Sequence, residues 1–152
     1  MKNLDYVNRF KLVKYNKAWA VTETKVSIRQ AVAKTPWPHW HLLTFCGRRG
    51  SEARGVVDML AIRKDHGLPQ EGTKRGDAFQ MILIQVKGGS AANPTVEDGK
   101  RLRIVRRQHH AQKVLLAAWK KGRLPDFFSL RPEGVDGKSD WIKITDLAAI
   151  FR

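Results

Sequence analysis

The sequence predicts an α/β domain built on a central mixed β-sheet flanked by helices. Two segments, GVVDMLAIR (55–63) and AFQMILIQVK (78–87), are apolar on both alternating faces. Strands covered on both sides read that way. A third segment, 98–122, has apolar residues at helical spacing and lies between the second strand and a later strand candidate. A helix that crosses between strands of one sheet requires a parallel or mixed portion. The chain has 152 residues, which suits a single domain with a sizeable core.

Taken in order, residues 9–24 (RFKLVKYNKAWAVTET) fit either a hairpin turning at Asn16-Lys17 or the start of a helix. SIRQAVAKT (27–35) predicts a short helix: Ser27 and Gln30 have capping-box spacing, and Pro36 stops it. If that helix starts earlier, Glu23 lies in its first turns. HWHLLTFC (39–46) predicts a strand, and GRRGSEARG (47–55) a glycine-rich turn. The polar segment KDHGLPQEGTKRGD (64–77) is long for a hairpin loop, and long loops are often functional. Within 98–122, Ile104, Gln108, Ala111, Leu115 and Trp119 recur at spacings of four and three; Gly122 and Pro125 end the helix. DFFSL (126–130) and WIKI (141–144) are strands, and Thr145 is placed to cap a terminal helix, DLAAIF.

Hydrophobic residues make up 42% of the chain, and no segment approaches the roughly 20 consecutive apolar residues of a membrane span. MKNLDYVNRFKLVKYNKAW lacks an apolar signal core, and Cys46 is the single cysteine, so no internal disulfide is expected and a cytoplasmic location is. The charge is far from balanced: 29 Lys+Arg against 14 Asp+Glu, a formal +15. An excess of this size points to a polyanionic partner, nucleic acid before an anionic membrane surface.

Polar residues interrupt the two strong strands. In 55–63, Asp58 shares a face with Val56, Leu60 and Ile62. In 78–87, Phe79, Met81 and Leu83 lead along one face into Gln85 and Lys87. A buried carboxylate needs compensation by a cation, a metal or a cleft. If the strands pair antiparallel with 64 opposite 79, Asp58 falls opposite Gln85. Asp58, the Gln85 amide oxygen and the Val86 carbonyl then offer oxygen ligands suited to Mg²⁺. Lys87 is placed to orient water or stabilise phosphate charge, and Gly88 and Gly89 leave room for a phosphate backbone. The competing reading is an Asp58–Lys87 ion pair bridging two strands.

GVVD followed by a strand ending IQVKGG resembles the PD-(D/E)xK nuclease superfamily, over about residues 40–130. That group includes many restriction endonucleases, archaeal Holliday-junction resolvases, VRR-type nucleases and the TnsA transposase subunit. The resemblance implies a restriction-endonuclease-like core of a helix, a three-stranded meander, a crossing helix and a further strand. Asp58 matches the family's metal-binding aspartate, and Gln85 and Lys87 match its (D/E)xK pair. Gln108 matches a glutamine that the family's crossing helix often carries. Two positions depart from the pattern: Val57 stands where a proline is usual, and Gln85 replaces the acid, as it does in TnsA-like members. An amide lacks the acid's charge, so a further carboxylate is expected, Glu23 first and Glu52 second. The implied activity is Mg²⁺- or Mn²⁺-dependent endonucleolytic hydrolysis of DNA phosphodiesters, leaving 5′-phosphate and 3′-hydroxyl ends. With no separate recognition module, structure-selective cutting of branched or duplex DNA is the expected form, and a homodimer follows from the same resemblance.

The cations supply a DNA track: Lys100, Arg101, Arg103, Arg106, Arg107 and Lys113 on the long helix, extended by Arg48, Arg49, Arg54, Lys64, Lys74 and Arg75 in the turns. Cations of one sign along a helix repel unless anions are present, and phosphate contacts position without reading bases. His39 and His41 share a strand face but lack the third ligand zinc needs. His109 and His110 fall in the basic helix as surface or phosphate contacts, and Cys46 as a core thiol. Gln85 keeps open a non-catalytic nucleic-acid-binding protein on the same fold, and the charge keeps open an RNA- or ribosome-associated one.

Overall fold

A computed structural model describes residues 17–45, 55–88, 93–120, 122–134 and 140–152. Helix α1 spans Lys17–Val32 and is followed by strands β1 (His41–Thr44), β2 (Met59–Lys64) and β3 (Phe79–Gly88). Helix α2 (Val96–Gln108) leads to β4 (Lys113–Trp119), β5 (Asp126–Leu130) and β6 (Trp141–Ile144), and then to a 3-10 helix, Leu147–Phe151. The strands form one six-stranded sheet in sequence order, β1 to β6. Neighbours are antiparallel except β3 and β4, which run parallel and are joined through α2. The fold is α/β, a mixed sheet between helices.

Alternation assigns the two faces. Met59 and Ala61, Ile82, Ile84 and Val86, and Leu115, Ala117 and Trp119 pack against α1 and the 3-10 helix. Leu83, Val114, Leu116 and Leu130 pack on the other face, against Leu102 of α2. α1 carries Ala20, Thr24, Ile28 and Ala31 into the first layer at helical spacing, all buried. Trp119 is fully buried there; its ring meets Trp19 edge-on at 5.0 Å, and its Nε1–H donates to Thr24 Oγ1 at 2.7 Å. The 3-10 helix is held by Trp40, whose Nε1–H donates to the Phe151 carbonyl at 2.7 Å.

Several expectations are corrected. Of the two alternatives for 9–24, residues 17–24 are helical, in α1; residues 9–16 lie outside the described residues. Ser27 is inside the helix, its hydroxyl donating to the Glu23 carbonyl at 3.0 Å, so its spacing to Gln30 is not a cap. The 3-10 helix is capped by Asp146, not Thr145.

The largest correction concerns 98–122. The helix ends at Gln108, where His110 takes φ 51° and the Ala111 N–H returns to the Arg106 carbonyl at 2.9 Å. Residues 113–119 (KVLLAAW) then form β4, between β3 and β5, with every residue from Val114 to Trp119 buried. A continuous apolar run does not distinguish a helix from a strand covered on both faces. The apparent stripe from Ile104 to Trp119 joined two elements, and Gln108 is not on it: it is exposed at the helix end.

Helix α2 is fastened by its cations. Arg103 donates to both Asp140 oxygens, at 2.6 and 3.3 Å, and through Nε to the Arg131 carbonyl at 3.2 Å. Arg106 donates to the Ala111 and Gln112 carbonyls. Gly99 is where α2 approaches Asp140: a Cβ there would meet Asp140 Oδ2 at 3.3 Å. The hydrogen-bonded Arg103 guanidinium, outweighing burial, holds the Asp140 carboxyl below the usual carboxylate range. The depressed value means that this contribution is present above the unfolded carboxyl's pKa, about 3.9, and is lost as pH falls through the folded value below it. Thermal unfolding between about pH 6 and pH 2 should therefore show stability falling at the acid end. Asp140→Asn should weaken that dependence; an unchanged acid slope would refute the assignment.

Candidate active site

The β2–β3 register pairs Lys64 with Phe79 through Met59 with Ile84. Asp58, one residue before the last pair of that ladder, donates its N–H to the Ile84 carbonyl at 2.9 Å. There the strands part. β2 regularity begins only at Met59, after a turn at Gly55, whose φ of 107° favours glycine. The Val86 N–H donates instead to Asp58 Oδ2, at 2.7 Å. The carboxylate thus replaces a main-chain acceptor at the fork. In an extended strand a residue's N–H and C=O leave on the same side, so the Val86 carbonyl also faces the fork.

Asp58 is 3% exposed and Gln85 6%. The Gln85 Oε1 is buried and accepts no hydrogen bond. An unsatisfied buried acceptor costs about 1–3 kcal/mol, and such an oxygen suits a cation. Gln85→Met should therefore raise stability, by about 1–2 kcal/mol in chemical denaturation. A clear loss of stability would show that the amide serves the fold.

Lys87 follows on the same face of β3. It does not pair with Asp58: its ammonium forms an ion pair with Asp98 Oδ2 on α2, both side chains being mostly buried. Asp98 closes the capping box of α2. Its backbone N–H donates to Thr95 Oγ1 at 3.1 Å, and its Oδ2 accepts the Thr95 hydroxyl at 2.6 Å and N–H at 3.3 Å. Burial opposes ionisation of Asp98, but Lys87 and Thr95 outweigh it and hold the carboxyl below its usual range. Asp98 was absent from the sequence-based candidates. Its signal was the Thr95-Val96-Glu97-Asp98 capping pattern, masked by placing the helix start at 98.

The other candidates are placed as follows. Glu23 is 1% exposed on α1. Gln108 lies ten residues along α2 from Asp98, about 15 Å at 1.5 Å per residue. Glu52, Arg48, Arg49, Arg54 and Cys46 lie outside the described residues. His39 and His41 are exposed, and His109 and His110 follow the helix rather than lying in it. Among the described residues no three His, Cys, Asp or Glu side chains converge.

The proposed cationic track is partly used internally. Arg103 and Arg106 fasten α2, and Lys113 donates to the Ile150 carbonyl at 3.1 Å. Lys100 pairs with Glu97 at the surface. Arg101, Arg107, Lys64 and Lys74 are exposed, as is Arg75, which donates to the His66 carbonyl. Sequence reading also passed over Lys25 and Arg29. These are one helical turn apart on α1 and line a groove of about 350 Å³ that reaches Thr44 at the end of β1.

No family model, curated protein or solved structure matches the chain. Among the described residues no helix is long and apolar enough to cross a membrane.

Proposed function

We propose that the protein is a metal-dependent nuclease that hydrolyses DNA phosphodiesters. One observation carries this reading: the buried Asp58 carboxylate accepts from the Val86 N–H, and Val86 stands between Gln85, whose buried Oε1 accepts no hydrogen bond, and Lys87. The element order supports it. A helix, an antiparallel three-strand meander, a crossing helix and a strand parallel to the third is the order expected of a restriction-endonuclease-like core.

Asp58, Gln85 Oε1 and the Val86 carbonyl would hold Mg²⁺ or Mn²⁺; the unsatisfied amide oxygen is the reason these residues fit a hard cation. When bound, such a metal supplies Lewis-acid stabilisation of phosphate charge and a more acidic water. Lys87 has ammonium hydrogens beyond the one given to Asp98, and these orient the attacking water and a phosphate oxygen. Attack on phosphorus breaks the bond to the 3′ oxygen, leaving 5′-phosphate and 3′-hydroxyl ends. The formal charge of +15 favours a polyanionic substrate. Branched or duplex DNA, structure-selective cutting, a homodimeric assembly and a cytoplasmic location belong to the same reading.

A second reading, a non-catalytic nucleic-acid-binding protein, is favoured by the missing charge at Gln85 and the lack of a three-carboxylate cluster among the described residues. One experiment separates them. Branched, linear and single-stranded DNA, and RNA of matched structure, are incubated with the protein in Mg²⁺, Mn²⁺ or EDTA. Metal-dependent cleavage of DNA supports the nuclease. Binding without cleavage under either metal leaves only the binding protein, and tighter binding to RNA directs it to an RNA partner.

A further inference from the structure

We infer that Asp98 is a positioning residue for Lys87, and that it supplies on the first turn of α2 the negative charge that Gln85 does not carry on β3. The inference rests on the reading in which Lys87 acts on water or phosphate. Its observation is independent of that reading: the Lys87 ammonium contacts Asp98 Oδ2, and that oxygen is itself fixed by the Thr95 hydroxyl and N–H.

Lysine is a compact charge on a flexible four-carbon stem. Left alone on a strand its ammonium samples many rotamers, and a displacement of about 1 Å can cost about a hundredfold in rate. Asp98 removes that freedom. Its carboxylate is anchored at the third position of a capped helix, and the helix start is favourable for a negative charge. One ammonium N–H goes to Asp98, and two are left to address substrate.

The charges lead to the same residue. Asp98 brings a carboxylate to Lys87 without placing one at position 85. Asp98 touches neither substrate nor metal in this scheme; it acts through Lys87.

Asp98 also caps α2, so a structural role must be separated from a positioning one. Asp98→Asn keeps the size and an acceptor oxygen for Thr95 but removes the charge. Thr95→Ala removes the cap partner and keeps the charge. Asp98→Glu keeps the charge at a longer reach. Each variant is assayed for kcat and KM on DNA that the wild type cleaves, for its thermal midpoint, and, without DNA, for acylation of Lys87 followed by mass spectrometry. Asp98→Asn is expected to lower kcat about 10- to 100-fold, the size typical of outer-shell partners, with KM little changed and Lys87 more readily acylated. Asp98→Glu is expected to recover part of kcat, and Thr95→Ala to lower the thermal midpoint while keeping kcat. Wild-type kcat in Asp98→Asn, or an equal loss in Thr95→Ala, overturns the proposal and leaves the nuclease reading standing. If the wild type cleaves no DNA under either metal, the nuclease reading fails, and Lys87 acylation alone decides. Unchanged acylation in Asp98→Asn then overturns the positioning contact, and faster acylation supports it.

Discussion

Lys87→Ala is expected to lower metal-dependent DNA cleavage by about 10²–10⁴-fold, the range for removing a group that moves a proton or stabilises transition-state charge. DNA binding should change little, because Lys87 is one cation among 29 Lys+Arg and is mostly buried. The fold should survive. Truncation leaves Asp98 without its ammonium, but Thr95 still donates to the same oxygen. The cost is about 1–3 kcal/mol, that of a partly unsatisfied buried group, against a total of typically 5–15. Asp58→Ala should match the loss of cleavage at a similar cost, since it strips the Val86 N–H of its acceptor. The checks are cleavage kinetics in Mg²⁺ and Mn²⁺, with circular dichroism to confirm folding. A folded Lys87→Ala protein that cleaves at the wild-type rate would exclude Lys87 from the chemistry.

The second large effect concerns the fold. Trp119→Ala should cost about 3–5 kcal/mol, as truncation of a buried tryptophan does. It empties a site with no exposure, removes the edge-on contact with Trp19 and deprives Thr24 Oγ1 of its donor. These contacts fasten α1 to β4 beside the packing of Leu115 and Ala117, so weakened α1 helicity should accompany the change. For a domain of this size the thermal midpoint would fall by roughly 6–20 °C. Trp119→Phe, which keeps most of the volume and loses the hydrogen bond, should cost less. A measured cost below about 1 kcal/mol for Trp119→Ala would mean that the cavity collapses or that α1 is held elsewhere.

How much could be read beforehand depended on whether each element carried a distinctive pattern. β2 and β3 were legible because polar residues break otherwise apolar rows: Asp58 in one, Gln85 and Lys87 in the other. Their register followed from the loop between them, and the observed pairing of Lys64 with Phe79 is the one anticipated. β4 was not legible because KVLLAAW has no period, being buried on both faces. The helix before it also ends at two histidines rather than at glycine or proline. α1 hid its start because its buried stripe includes the polar residues Glu23 and Thr24. The long-range role of a charge was out of reach. Nothing local to Arg103 shows that its partner is Asp140, 37 residues away, rather than a phosphate.

The hydrogen bond from Val86 to Asp58 Oδ2 also makes the site observable without any substrate. A single amide proton in the second half of β3 is tied to the carboxylate at the fork. A cation, a proton or a substitution that draws the Asp58 carboxylate away loosens that tie, while the neighbouring main-chain bond from Asp58 to Ile84 stays in place. The Val86 resonance is thus a built-in indicator: its shift and exchange rate follow the occupancy of the fork, and titrating Mg²⁺ or Mn²⁺ against it reports loading one residue at a time.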